Sequence, residues 1–229
     1  MRLADLSWPE AGQRAAAGAV LAVPVGSTEQ HGPHLPLSTD TDIAVALCAR
    51  LAAARPDVLT APPVGYGSSG EHAGFPGTLS IGQAALELLL VELGRSATLT
   101  FRHLVLVSAH GGNAGPAARA VRRLGRESRH VLLFQPRWDG DPHAGYPETS
   151  MMLELDPARV RLDRAVPGDT RPLGQTWPVL RTAGVRAVSA SGILGDPAGA
   201  TAQAGRALLD ALAATLIHDV AAWHPVGAR

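Results

Sequence analysis

His103-Leu104-Val105-Leu106-Val107-Ser108 runs directly into Ala109-His110-Gly111-Gly112-Asn113 and then into a helical stretch over about 115–125. An apolar run with no polar alternation, closed by turn residues, predicts a strand covered on both faces. A covered strand that turns through glycines into a helix is half of a βαβ unit. The pattern repeats outward. Ala19-Val20-Leu21-Ala22-Val23-Pro24-Val25-Gly26, the run over 58–64 and Val131-Leu132-Leu133-Phe134 read as strands, and 185–189 as a further one. Helices are expected over about 42–54, 81–98 and 201–222, with a helical turn or two over 149–155 and a tail over 223–229. Ser7 followed by Glu10 predicts a capped helix start. Strands alternating with helices give one α/β domain over 1–229, an α/β/α sandwich with a mostly parallel sheet.

Composition narrows the function classes. The chain has 229 residues, 46% hydrophobic and 17% charged, too apolar for disorder. Net charge is zero, which argues against a nucleic-acid surface. All 20 positive charges are Arg, so Lys-based chemistry is excluded. The single Cys48 lies in an apolar helical pattern and reads as a buried hydrophobe. No apolar run is long enough to span a membrane and no signal-peptide pattern opens the chain. A soluble cytoplasmic protein with no membrane partner is the expectation.

The polar loops follow strand ends, where open α/β sheets bind ligands. Glu29-Gln30-His31 with Asp40 is the first, His110-Gly111-Gly112-Asn113 the second, and His143-Ala144-Gly145-Tyr146-Pro147-Glu148 the third. Imidazoles with carboxylates and no thiolate suit Zn, Fe(II) or Mn. Each loop alone also reads as a solvated loop, a strand-to-helix turn or a helix-capping segment. Together they are better explained by one shared metal centre. Backbone N–H groups around Gly111 and Gly112 suit a developing oxyanion, and Asn113 either orients substrate or caps the helix. Glu71 and His72, after a Gly/Ser loop, are candidates for the substrate pocket, with Phe75 beside them. His34 is a weaker ligand candidate, and Asp42 reads as a helix N-terminal charge. His103, His130, His218 and His224 have no supporting constellation.

These residues resemble the creatininase family. Its signature is similar to Gly26-Ser27-Thr28-Glu29-Gln30-His31-Gly32-Pro33-His34-Leu35-Pro36 with Thr39-Asp40; further motifs resemble 108–113, 143–150 and 192–197. The resemblance implies a creatininase-like fold, a homo-oligomer and hydrolysis of a C–N amide bond. It makes Glu29, His31, Asp40, His110 and Glu148 ligands of one or two divalent ions per subunit, Asp40 the bridge, and His143 the catalytic histidine. One departure stands out: where creatininases proper carry a carboxylate two residues after the second-motif His, this chain has Gly112. The segment 66–82 is similar to a branch of the family acting on a modified precursor peptide, which implies that peptide as substrate. Creatinine or a formamide-bearing pyrimidine is the alternative substrate, and a non-catalytic metal-binding scaffold the alternative of another class.

Overall fold

The computed structural model describes residues 1–224; the end of the expected tail, 225–229, lies outside the described residues. Four strands, β1 (Val20–Val25), β2 (Val58–Thr60), β3 (His103–Ser108) and β4 (His130–Phe134), form one sheet in the order β2-β1-β3-β4. Every pairing is parallel, with Val20 opposite both Val58 and His103, and His103 opposite His130. Successive strand residues point to opposite faces. Val20, Ala22, Val105 and Val107 enter one core, closed by α2 (Thr39–Ala54), α5 (Tyr146–Leu155) and α7 (Ala202–Trp223). Leu21, Val23, Leu104 and Leu106 enter the other, closed by α1 (Trp8–Ala16), α3 (Gly82–Ala97) and α4 (Ala114–Arg126). The result is three layers, α/β/α, as the apolar runs predict.

The order in which strands are connected reverses across the middle of the sheet. From β1 the chain crosses to β2 on one side; from β3 it crosses to β4 on the other. The loops leaving β1 and β3 therefore part above their common edge and leave a crevice there.

Several local readings hold. Ser7 N–H and Oγ–H both donate to Glu10 Oε2, at 2.7 and 2.5 Å, closing the capping box of α1. Cys48 is fully buried in α2, and burial pushes its thiol pKa up. Three readings change. α2 begins at Thr39, so Asp40 lies inside its first turn. α5 begins at Tyr146, so Glu148 is also a first-turn residue. The expected strand over 185–189 is instead a 3-10 turn, Val185–Ala187, entered from Gly184 at φ +75°. Its apolar residues serve a small satellite cluster with Leu180 and Leu194, not a sheet edge. A helix not read from the sequence, α6 (Leu173–Ala183), precedes it; Gly174 and the internal Pro178 obscure its pattern.

Candidate metal centre

The crevice between β1 and β3 gathers the polar loops. Leaving β1, the chain doubles back, and Glu29 N–H donates to Leu37 O at 3.0 Å. That return delivers Asp40 in the first turn of α2, where Ser27 Oγ–H donates to Asp40 Oδ2 at 2.6 Å. His110 stands where β3 passes into the 3-10 turn Gly111–Asn113 and α4. Glu148 opens α5, with Ala144 N–H donating to its Oε2 at 2.6 Å. Ala144 holds φ +54°, a region alanine rarely adopts. The adjoining His143 is braced by backbone pairing with Leu194, which explains why 192–197 belongs to the site.

Backbone carbonyls set the ring protons. A carbonyl only accepts, so the nitrogen facing it carries hydrogen. His31 Nδ1–H donates to Glu29 O at 3.1 Å. Its Nε2 faces Asp40 Oδ1 at 3.2 Å and Glu148 Oε2 at 3.8 Å. His110 Nε2–H donates to Ser68 O at 3.1 Å, leaving Nδ1 3.2 Å from Asp40 Oδ2. The second ring nitrogens of His31 and His110 thus face the two oxygens of one carboxylate, donating to it when the rings are protonated and open to a cation when they are not. His143 Nε2–H donates to Gln30 O at 2.9 Å, leaving Nδ1 3.8 Å from Glu29 Oε1.

Three buried groups have ligand atoms within 4.8 Å of one another: Glu29 with Asp40 and His110, His31 with Asp40 and Glu148, and Glu29 with His31 and His143. Asp40 belongs to the first two. Both Glu29 oxygens are buried without a hydrogen-bond partner among the described residues. A buried, unsatisfied carboxylate is costly, and a divalent cation satisfies it. The donor set fits such an ion on these grounds.

Titration behaviour points the same way. Burial opposes charge on His31, but Asp40, Glu148 and Glu29 overcome it and raise its pKa to about 10. Burial also raises Glu148, to about 7. Asp40 is held well below the usual range by His31 and His110 despite its burial. His143 is pushed down by burial and then by His31 and His72, so it is neutral. Protons here stand where a cation can.

The remaining expected site residues separate. Asn113 is buried; its Oδ1 accepts from Ser68 N–H and its Nδ2–H donates to Gly26 O, both at 2.9 Å. It ties three loops together and makes no helix-capping bond. A Cβ on Gly112 would lie 2.3 Å from Ser68 O, 2.3 Å from Glu71 Oε1 and 2.5 Å from His110 Nε2. Only glycine admits that approach. The Glu71 carboxylate thus sits where a side chain at 112 would begin, with Oε1 3.6 Å from His110 Nε2. His72 is buried inside the cluster. Phe75 packs instead on the Leu180, Val185 and Leu194 cluster, under Arg186. His34 stands outside the three groups, its ring 2.8 Å from Thr149 Oγ1. Asp42 accepts from Ser38 Oγ–H and pairs with Arg159.

A cavity of about 660 Å³ opens from the cluster. Asp40, His110, Gly111, His143 and Glu148 form one wall; Arg137, Trp138, Asp169, Arg171 and Leu173 line the other. Among the residues read as substrate contacts, Gly111 lines this cavity, whereas Glu71, His72, Phe75, Gly112 and Asn113 do not. The opposite wall was not legible because no motif marks it. Gln30 and Ser27 were also missed as site residues; their one signal is their place within the Gly26–Pro36 stretch, between the residues that were read.

A family model described as creatinine amidohydrolase matches residues 4–220. The mycofactocin precursor peptide peptidase of Mycolicibacterium smegmatis is 49% identical over 214 residues, covering 90% of this chain and 86% of that one. A solved structure described as a manganese creatininase superposes with a TM-score of 0.86 at 28% identity, covering 97% of this chain and 98% of that one. A mutant creatininase described as Zn-Zn type gives the same score, identity and coverage.

Proposed function

The chain belongs to the creatininase family, and from that premise we propose that it cleaves a mycofactocin precursor peptide, releasing the modified C-terminal Val-Tyr dipeptide. It is a hydrolase of amide bonds. The peptide reading is supported by 49% identity to a peptidase of that name over most of both chains. The observation that carries the chemistry is the pair of histidine ring nitrogens, each 3.2 Å from a different oxygen of Asp40.

In this reading Glu29, Asp40 and His110 would hold one divalent ion, and His31, Asp40 and Glu148 a second, Asp40 being common to both groups. Fe(II), Zn or Mn suits that donor set. Such an ion, when bound, supplies a Lewis acid that activates water and polarises a scissile carbonyl. His143 moves the proton. Its Nε2–H is committed to Gln30 O, its ring is neutral, and its free Nδ1 accepts a proton and passes it to the leaving amine. The Gly111 N–H, at the cavity wall, is the candidate donor to the developing oxyanion. No nucleophilic side chain is required, consistent with the burial of Cys48.

The remaining features of the proposal are one domain over 1–229, a homo-oligomer and a cytoplasmic location, without nucleic-acid or membrane partners. Zero net charge supports the absence of a nucleic-acid partner. No helix among the described residues is long and apolar enough to cross a membrane.

The test is mass spectrometry of metal-loaded protein with modified peptide, unmodified peptide and creatinine. Loss of the C-terminal dipeptide is expected, faster from the modified end, which is rigid and loses less conformational entropy on binding. Turnover of creatinine with neither peptide cut would assign a different amidohydrolase. No hydrolysis of any substrate by metal-loaded protein would leave a scaffold.

A further inference from the structure

His72 faces the cluster differently from the other histidines. The reason begins with Gln30. Gly32 N–H donates to Gln30 Oε1 at 2.9 Å, which fixes the amide and turns Nε2 the other way. Nε2 carries two hydrogens. Gly192 O accepts one at 3.0 Å and His72 Nδ1 the other at 2.8 Å. His143 Nε2 is 3.0 Å from the same nitrogen, but its proton goes to Gln30 O, so it does not compete as an acceptor. Position 192 is built around this amide: a Cβ there would lie 2.0 Å from Gln30 Oε1, and the backbone holds φ +81°.

An imidazole that accepts at Nδ1 is neutral and carries its proton on Nε2. In His72 that N–H lies 3.4 Å from Glu29 Oε1. The other carboxylate oxygen, Oε2, lies 3.2 Å from His110 Nε2. The hydrogen bond from Gln30 therefore fixes the His72 ring with its N–H turned toward one oxygen of Glu29.

We propose that His72 is a positioning residue for Glu29: its Nε2–H faces Oε1 across 3.4 Å, an electrostatic contact short of a formed hydrogen bond, and so favours the orientation that turns Oε2 toward the side of Asp40 and His110. His72 then belongs to the wall of the metal centre and not to the substrate cavity, which it does not line. This rests on reading Glu29 as a metal ligand, but not on the identity of the substrate.

The test is Zn(II) affinity, measured by competition with a chromogenic chelator on the full chain. His72→Phe keeps the ring and removes both nitrogens; it is expected to bind zinc about 10–100-fold more weakly than wild type. His72→Gln restores a donor and an acceptor and is expected to recover most of that loss. Wild-type affinity in His72→Phe overturns the proposal. So does equal loss in both variants, which would make the role one of packing. If His72→Phe does not fold, the tautomer decides: in zinc-loaded wild type labelled with 15N-histidine, His72 is expected as the Nε2–H form, and the Nδ1–H form overturns the proposal. Zinc binding by neither wild type nor variant would remove the ion itself, a result distinct from the failure of His72 alone.

Discussion

Histidines gather at both ends of the sheet, and the two groups are built from different neighbours. At the N-terminal end, His103 and His130 open adjacent strands. The His103 ring lies 4.1 Å from that of His224, 5.3 Å from that of His130 and 5.2 Å from Trp223, centroid to centroid. The carboxylate nearby, Asp57, is taken by Arg55 at 2.6 Å. Burial, then His224, His130 and Arg102, push the His103 pKa down to about 4, so its ring packs there as a neutral aromatic surface. At the C-terminal end His31 is fully buried, which opposes its charge, yet Asp40, Glu148 and Glu29 raise it to about 10. Proximity of imidazoles does not make a cation site. Ring nitrogens aimed at shared carboxylate oxygens do, and backbone carbonyls aim them.

The comparison breaks first at Asp40. Asp40→Ala removes the oxygens faced by both histidines and is expected to lose nearly all bound metal and nearly all hydrolysis, by elemental analysis and peptide cleavage. His103→Phe, at the other end, is expected to change neither. Loss of metal in both variants would erase the distinction. Next in size, His143→Ala is expected to retain its metal while kcat falls about 10²–10⁴-fold. Metal loss comparable with Asp40→Ala would make His143 a ligand.

Gly112→Ala sharpens the account of the crevice. The added Cβ meets backbone at Ser68 O as well as Glu71, so relief requires moving the loop and not merely a side chain. Destabilisation of about 1–3 kcal/mol is expected by denaturant unfolding, with weakened zinc binding. Unchanged stability would show that the loop yields freely.

The smallest effect belongs to the N-terminal group. The folded pKa of His103 lies below its unfolded value of 6.5. Its neutral form is therefore favoured by folding, and the associated stability is lost as pH falls from about 6.5 toward 4. The ring is only half-buried, so solvent screens the effect and a shift of a few degrees or less in melting temperature is expected. His103→Phe should flatten that slope in metal-free protein; identical slopes in the two proteins would contradict it.

How much of this was legible follows the range of the interactions. The apolar runs at 20–25 and 103–108 announce covered strands, because a parallel sheet buries both faces of each. Glu29, His31, Asp40, His110, His143 and Glu148 were readable as members of loops at strand ends. What was not readable depends on distant partners. Nothing in the sequence says that Asn113 ties Gly26 to Ser68, or that Glu71 fills the space beside Gly112 where the family pattern places a carboxylate. The strand expected at 185–189 failed for the same reason: its apolar residues have a partner, but that partner is Leu180 and Leu194 and not a sheet edge. The wall bearing Arg137 and Trp138 carries no local pattern at all.

The most direct test of the account is metal content measured alongside peptide hydrolysis through chelation and re-addition. The buried, unpartnered Glu29 and the two histidine nitrogens that face Asp40 predict that activity falls in step with metal. They also predict its return with Fe(II), Zn or Mn. Full hydrolysis by protein shown to contain no metal would contradict it.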